Sequence, residues 1–517
     1  MQSRRFPVPA ERMRVWAILA LLITLAFLPV LLNPIPGLAD LPNHIARHHV
    51  MFHHGSGGML DHYFDVQWRW IGNLGVDLPV MLLMQWLDAE TATRAAVSFI
   101  APLTAAAILL LSRVAHGRIS ASAMLALPLV FHQAYMYGFV NYCLSVALAL
   151  LVFAAYLARP PETVRGALLF ALAALLVWTA HLGGWTVLLV VAGCAELVRV
   201  RGLRDIAASA RRLLPLALPL VPLLMWRGAS GGPVFSYSDQ HLLWGKFMSF
   251  AAVLKGWSRY PDLAMTGAIG VLALLAFAWA GGRRADARLL AAGLGISFLS
   301  VIMPTKVLGS WGADFRLAPV GVILVLLSIT PAAQPRRERL LFAAGALLFA
   351  VRVVGISASW HRAGTVLEQR LRILDDVPRG SRMGFIAVHS DCRTPWVLNP
   401  DRKLPGLVIP RRDAFTNTMF KVDGSDLMTI RDPGDRARWF DLSEDVEAVC
   451  PAGKVDQAAL AERVRDMAND DFQTIWIWGV AADRIGLPPG YRVMEAKGND
   501  VLIGRSTQHR PHQPGRS

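Results

Sequence analysis

The chain has 517 residues, 54% of them hydrophobic and 17% charged, with a mean hydropathy of +0.41. That is too apolar for a soluble protein of this length, and the apolar residues fall in runs of about 15–20, the length that crosses a hydrocarbon core as a helix. The net charge of +15 does not point to nucleic acid, because the arginines sit mainly in short loops between apolar runs, where membrane topology accounts for them.

The first span is predicted at 15–32. Arg4, Arg5, Arg12 and Arg14 precede it and place the N-terminus in the cytoplasm. Asn33-Pro34-Ile35-Pro36 stands where a small-residue cleavage site would be, so the span is read as uncleaved. The first outer loop, 33–75, opens with Gly37-Leu38-Ala39-Asp40-Leu41-Pro42-Asn43-His44-Ile45-Ala46-Arg47-His48-His49. Lipid-facing helix has little use for these groups, and ionisable residues at a membrane edge are functional candidates. A turn at Gly55-Ser56-Gly57-Gly58 and the aromatic group Tyr63, Phe64, Trp68 and Trp70 place the loop on the membrane surface.

Residues 77–91 are apolar but short. If they do not cross, spans fall near 92–112, 119–133, 141–158, 166–181, 183–199, 213–227, 263–280, 288–304, 316–331 and 339–355. The loops on the N-terminal side then hold Arg113, Arg118, Arg159, Arg165, a cluster from Arg199 to Arg212, and further arginines at 283–288 and 336–339. The opposite short loops, around 134–140 and 182, hold no Lys or Arg. This bias selects about eleven spans, with the N-terminus cytoplasmic and the C-terminus periplasmic. Cys143 and Cys194 lie in spans as packing residues, whereas Cys392 and Cys450 lie in the polar C-terminal part, where an oxidising periplasm would permit a disulfide.

After about 356 the composition turns polar. Residues 360–372 read as an amphipathic helix, 383–389 and 474–479 as short buried strands, 456–469 as a helix and 491–504 as a hairpin. The expected architecture is an all-α polytopic bundle over 1–355, a small α/β periplasmic domain over 356–506, and a disordered tail at 507–517.

This topology gathers polar residues on the outer face: Asp40, His44 and Asn73 from the first loop, His181 from Ala180-His181-Leu182-Gly183-Gly184, Asp239, His241, Lys246 and Arg259 from 228–262, and Lys306, Asp314 and Arg316 from the last loop. Each has a structural alternative. Asp40 is a suitable N-cap for a helix opening at Leu41-Pro42. His44 and His48, with Asp40, make a spacing that can bind a metal, but such histidines also suit a headgroup interface, where His48 and His49 are placed. His181 can be a packed, hydrogen-bonded histidine, Arg316 can reach to phosphate headgroups, and Tyr135, Tyr137 and Tyr142 read as an interface belt.

A carboxylate, cations and a greasy bundle suit sugar transfer from a lipid-linked phosphosugar. Asp40 would be the base, His44 and His181 would orient the reactants, and Arg316, Lys306, Lys246 and Arg259 would hold the phosphate. The chain also resembles GT-C-fold integral-membrane glycosyltransferases. The resemblance lies in Asp40 after the first span, Asn73-Leu74-Gly75-Val76-Asp77-Leu78-Pro79 leading to a Leu-rich helix and Arg94, and Asp314-Phe315-Arg316-Leu317-Ala318-Pro319. It implies a polyprenyl-phosphate or pyrophosphate sugar donor and an acidic base or metal ligand at Asp40. Many members carry two adjacent acidic residues where this chain has Ala39-Asp40. Attack by the activated hydroxyl opposite the phosphate would invert the anomeric centre, with an envelope lipid, glycan or protein as acceptor. No cofactor follows from the residues, and a divalent metal stays open. The expected location is a bacterial inner membrane, with membrane lipids as partners and no nucleic acid. A flippase of lipid-linked saccharides and a non-catalytic envelope-assembly protein are the alternatives. The span count is checked by a reporter fused after residue 115, which should behave as cytoplasmic; a periplasmic signal there would overturn it.

Overall fold

Short polar residues set where several helices begin. A computed structural model of the chain describes residues 17–18, 20–225, 235–237, 242–307, 310–389, 396–398, 400–419, 426–431, 444–449 and 454–506. The expectations on Arg4, Arg5, Arg12, Arg14, Asp239, His241, Cys392, Cys450 and the tail lie outside the described residues. Asp88 accepts from Thr91 N (2.9 Å), Thr163 from Gly166 N (3.1 Å) and Asp286 from Arg288 N (2.9 Å). Each satisfies a backbone donor that has no partner within its own helix.

The main helices are α1 Ala20–Leu31, α2 Leu41–His53, α3 Asp77–Leu83, α4 Ala89–His116, α5 Val140–Ala158, α6 Val164–Ala180, α7 Leu182–Leu197, α8 Arg259–Trp279, α9 Ala287–Ile302, α10 Ala313–Ser328, α11 Pro335–Leu371 and α12 Gln457–Asn469. Among the described residues, α4, α5, α8 and α11 are long and apolar enough to cross a membrane, and α1, α6, α7 and α9 are shorter apolar helices. The predicted spans 119–133 and 213–227 are not continuous α-helix. Both break into 3-10 turns, Leu127–Phe131 and Leu214–Ala217, where Pro128 and Pro215 remove a backbone donor. The stretch 77–91 is α3, seven residues long, followed by a turn and the Asp88 cap. It does not cross as one helix.

The strands are β1 Phe64–Val66, β2 Phe235–Ser236, β3 Lys306–Val307, β4 Ser310–Trp311, β5 Arg382–His389, β6 Phe415–Thr416, β7 Met428–Ile430, β8 Glu444–Val449, β9 Lys454–Val455, β10 Thr474–Trp478, β11 Tyr491–Lys497 and β12 Asp500–Arg505. One sheet runs β11-β12-β10-β5-β8-β9, with β6 also on β5. Its centre, β10 beside β5, is parallel, and Phe385, Ile386, Ile475 and Ile477 are buried there. That suits the continuous apolar runs from which these strands were predicted. The predicted hairpin is β11–β12, and the predicted helix at 456–469 is α12, capped by Asp456.

The C-terminal part is joined to the helices along α11 and through the first loop. The predicted helix at 360–372 is the far end of α11, which runs unbroken through 355–356. Strand β1 of the first loop pairs antiparallel with β7, Phe64 opposite Ile430. Tyr63 and Phe64 therefore pack on Phe415, with ring centroids at 5.1 and 5.9 Å, while Trp68 and Trp70 stay exposed. Phe64 is thus a core residue and Tyr63 is half-buried, not the headgroup-facing aromatics expected.

A buried ion pair pins α11 to the start of α8. Arg352 donates to Asp262, to Phe131 O (2.9 Å) and to Leu254 O (2.7 Å). Asp262 Oδ2 also accepts from Trp257 N (3.1 Å), Ser258 N (3.1 Å) and Trp396 Nε1 (2.8 Å). Arg352→Met leaves the Asp262 charge buried without its cation. It should cost ~3–5 kcal/mol of stability, read as a lower unfolding temperature in detergent; a loss below about 1 kcal/mol would remove this pair from the fold's supports.

Candidate functional site

Backbone contacts set the place of Asp40. Ala39 N donates to Met136 O (3.1 Å) and Asp40 N to Tyr137 O (3.0 Å). Gly138, at φ +86°, comes so close that a Cβ there would lie 2.9 Å from Asp40 N. Both the positive φ and the close approach call for glycine. Asp40 occupies the N-cap position of α2, but its side chain makes no capping hydrogen bond. Capping is therefore not what the carboxylate does. Burial first, and then the Asp40 charge, push the Tyr137 phenol up to about 12.

The inner face of α2 carries a buried polar network. His44 Nε2 donates to Gly138 O (3.1 Å). Arg47 donates to Asp77 Oδ1 (2.6 Å) and Asp426 Oδ1 (2.8 Å). Asn141 donates to Asp77 Oδ2 (2.7 Å) and Asn73 O (2.8 Å), and accepts from Val76 N (2.7 Å). His48 Nδ1 lies 2.8 Å from Thr93 Oγ1, and its Nε2 lies 3.3 Å from Asp77 Oδ1. Burial disfavours a charged Asp77, but Arg47 and His48 outweigh it and hold the carboxyl well below its usual range. Burial first, and then Arg47, push His44 and His48 below the ordinary imidazole value.

His48 was expected at the headgroup interface, yet it is fully buried, and His49 is largely covered beside Asp413 (3.2 Å). The metal-type spacing of Asp40, His44 and His48 does not become a ligand set, because His48 turns both ring nitrogens to Thr93 and Asp77. Among the described residues no group of three His, Cys, Asp or Glu side chains is arranged to hold a metal ion.

A polar cavity of about 250 Å³ opens beside this network and is lined by Asp40, His44, Asn73, His181, Arg316 and Lys403, among others. It adjoins an apolar slot of about 180 Å³ between α7 and α10, lined by Leu182, Thr186, Met303 and Leu317. Asn73, Tyr142, His181, Ser310 and Arg316 line both. Arg316 lies 3.7 Å from the Phe139 ring centroid, 5.8 Å from that of Tyr142, and donates to Trp311 O (2.7 Å). Its Nε is buried and makes no hydrogen bond among the described residues. His181 caps α7 by accepting from Gly183 N at Nδ1 (2.9 Å), which assigns the ring proton to Nε2. The cavity wall holds Arg316 and Lys403 near Asp40, while the charge of Arg47 is taken up by Asp77 and Asp426.

Of the predicted site residues, Asp40, His44, Asn73, His181 and Arg316 thus come together. Lys246 does not reach the cavity, because it is buried against Asp314 (2.7 Å). Asp314 is likewise engaged by that pair rather than facing a ligand. Lys306 is exposed on β3 opposite Trp311, and Arg259 is exposed at the start of α8. Tyr142, read as part of an interface belt, is buried and donates to Arg316 O (2.9 Å); Tyr135 is buried as well. Lys403 and Asp426 were missed. They lie in the polar C-terminal part, where no periodicity marks them; the pairing of β1 with β7 places Asp426, and the packing of the 401–407 turn on α2 places Lys403.

No protein-family model matches the sequence, and no curated protein matches it. Solved structures that share its fold include AftD and ArnT. The arabinofuranosyltransferase AftD from Mycobacteria has a TM-score of 0.51 at 14% identity, over 96% of this chain and 40% of that one. ArnT from Cupriavidus metallidurans, bound to undecaprenyl phosphate, has a TM-score of 0.50 at 13% identity, over 97% and 99%. The chain therefore spans about two fifths of the length of AftD and nearly all of ArnT. It is a membrane protein with the GT-C fold, the architecture that its sequence resembled.

The network generates a pH dependence. The unfolded histidines take up protons near 6.5, while folded His44 and His48 resist protonation. Their contribution to stability is therefore complete above about pH 6.5 and is lost as pH falls below it. The unfolding temperature should drop between pH 7 and 5, and His44→Gln should flatten part of that slope. An unchanged slope in the variant would show that His44 does not titrate this way.

Proposed function

We propose that the chain is a membrane glycosyltransferase that moves a sugar from a polyprenyl-phosphate-linked donor to a hydroxyl of an envelope lipid, glycan or protein. One observation carries the reading: a polar cavity that holds the Asp40 carboxylate with Arg316 and Lys403 opens into an apolar slot, and Arg316 lines both. A lipid-linked sugar has the same division into apolar tail, phosphate and sugar. The fold shared with a structure bound to undecaprenyl phosphate supports such a donor.

In this reading the first isoprene units lie in the slot between α7 and α10. The phosphate meets Arg316, whose guanidinium suits two-point contact with phosphate oxygens, and Lys403 adds a second cation. Asp40 takes the proton of the acceptor hydroxyl as its oxygen attacks the anomeric carbon. The bond from that carbon to the phosphate oxygen breaks, and the cations stabilise the departing phosphate. Attack from the side opposite the phosphate inverts the anomeric centre. His44, held by Gly138 O, positions the acceptor, and His181 offers Nε2–H to a sugar or phosphate oxygen. The donor set around Asp40 does not fit a metal ion, since Asp426 and Asp77 are both paired with Arg47.

The same reading places the cavity on the periplasmic face of a bacterial inner membrane, with about eleven crossings and a cytoplasmic N-terminus. Residues 356–506 form a domain on that face and supply Lys403 and Asp426 to the wall. Asp40→Asn keeps the side-chain size and removes the base. Sugar transfer from a polyprenyl-phosphate donor in membranes should fall by about 10²–10⁴-fold at normal protein level. Unchanged transfer would overturn the assignment of Asp40, and a retained anomeric configuration would overturn direct displacement.

A further inference from the structure

The opposite end of the bundle carries a second cavity, about 570 Å³ in volume, where the last residues of α4 and α7 meet the first of α9. Its wall holds Arg199, Arg201, Arg283 and Arg288, with Asp286 as its carboxylate. Asp286 is engaged by Arg288 (2.8 Å), and Arg199 by Glu196 (2.7 Å). Arg201 and Arg283 form no ion pair among the described residues. Both are exposed, so the wall offers two guanidinium groups to an anion from outside. The backbone that carries Arg283 is held in place: Thr330 Oγ1 donates to Arg283 O (2.6 Å), Thr330 N donates to Arg284 O (3.1 Å), and Ala285 bridges Ile329.

Two observations set the level of this cavity relative to lipid. The helix Leu203–Leu213 runs beside it, tied down by Arg212 and Ser209 on Glu196 (both 2.8 Å). Leu203, Ile206 and Leu214 fall on one face and are 85, 51 and 71% exposed, while Arg204 and Arg211 fall on the adjacent face. Such a helix lies in the headgroup region with its apolar face toward the acyl chains. Leu197 and Val198, next to Arg199, are also exposed apolar residues at the rim. A cationic cavity with an apolar rim at headgroup depth matches a ligand with a phosphate and two fatty chains better than a free anion, which has no use for the rim. The volume falls in the range of about 300–1,000 Å³ usual for small-molecule sites.

We propose that this cavity binds the phosphate headgroup of an anionic phospholipid, at the membrane surface opposite the candidate active site. The arginines that mark membrane orientation in the sequence then form a built lipid site rather than a diffuse charge bias. The inference depends on the membrane-spanning fold and not on glycosyl transfer.

The test uses the full-length protein in detergent, titrated with phosphatidylglycerol or phosphatidylcholine and read by native mass spectrometry. Wild type should retain phosphatidylglycerol roughly tenfold or more over phosphatidylcholine. The double variant Arg201→Ala/Arg283→Ala should lose that preference. Arg201→Lys/Arg283→Lys keeps the charge and should keep the preference, which separates lipid binding from damage to the fold. Equal retention of the two lipids by wild type, or an unchanged preference in the alanine variant, would overturn the proposal. Complete displacement of phosphatidylglycerol by millimolar inorganic phosphate would overturn the lipid as ligand and leave a free-anion site.

Discussion

The rest of the site depends on the buried contact of Arg47 with Asp77 and Asp426. Taking a guanidinium and two carboxylates out of water is costly, and the attraction between them offsets that cost only when the remaining donors and acceptors are also satisfied. For Asp77 they are: it receives Arg47 and Asn141 and has His48 against it, while Asn141 also holds the backbone at Asn73 and Val76. The geometry is therefore strongly determined. One cluster binds α2, α3, α5 and the segment carrying Asp426, and α2 cannot rotate or slide without leaving a buried charge unpaired. Asp40, at the head of α2, inherits that rigidity, and Gly138 closes against it from the other side.

Around this anchor the polar groups divide by depth. The Asp40 cavity collects charge at one end of the bundle, the slot between α7 and α10 is apolar, and the arginine-lined cavity lies at the other end of the same helices. Deep inside, Arg352 with Asp262 and Lys246 with Asp314 are paired, as buried charges must be. The pairing of Lys246 explains why a lysine that looked available for phosphate is not. Arg316 differs, because aromatic faces and a carbonyl surround it and no carboxylate forms an ion pair with it among the described residues. That leaves its charge directed at the junction of the two cavities.

Much was legible in local sequence. Asp40, His44, Asn73, His181 and Arg316 stood out because polar groups at the ends of apolar runs have few structural uses. The strands β5 and β10 and the β11–β12 hairpin were readable from short apolar runs and a turn. Other features were not. His48 and Tyr142 looked like headgroup residues, since an aromatic ring with a polar tip suits both an interface and a buried hydrogen bond, and only its partners tell the two apart. The spans at 119–133 and 213–227 looked continuous because mean apolarity is blind to the proline that ends an α-helix.

By itself, then, the amino-acid sequence determined a membrane bundle with a polar C-terminal part and named the stretches that meet at one end of it. These follow from periodicity and from the cost of placing charge in lipid, which are local properties. The tertiary structure alone decided that Lys403 and Asp426 enter the site, that Lys246, Lys306 and Arg259 do not, and that α11 runs unbroken across the change in composition. The entry of Asp426 depends on β1 pairing with β7 and on Arg47 meeting Asp426, contacts between residues more than 300 positions apart. No local pattern encodes the partner of a strand edge or of a buried charge.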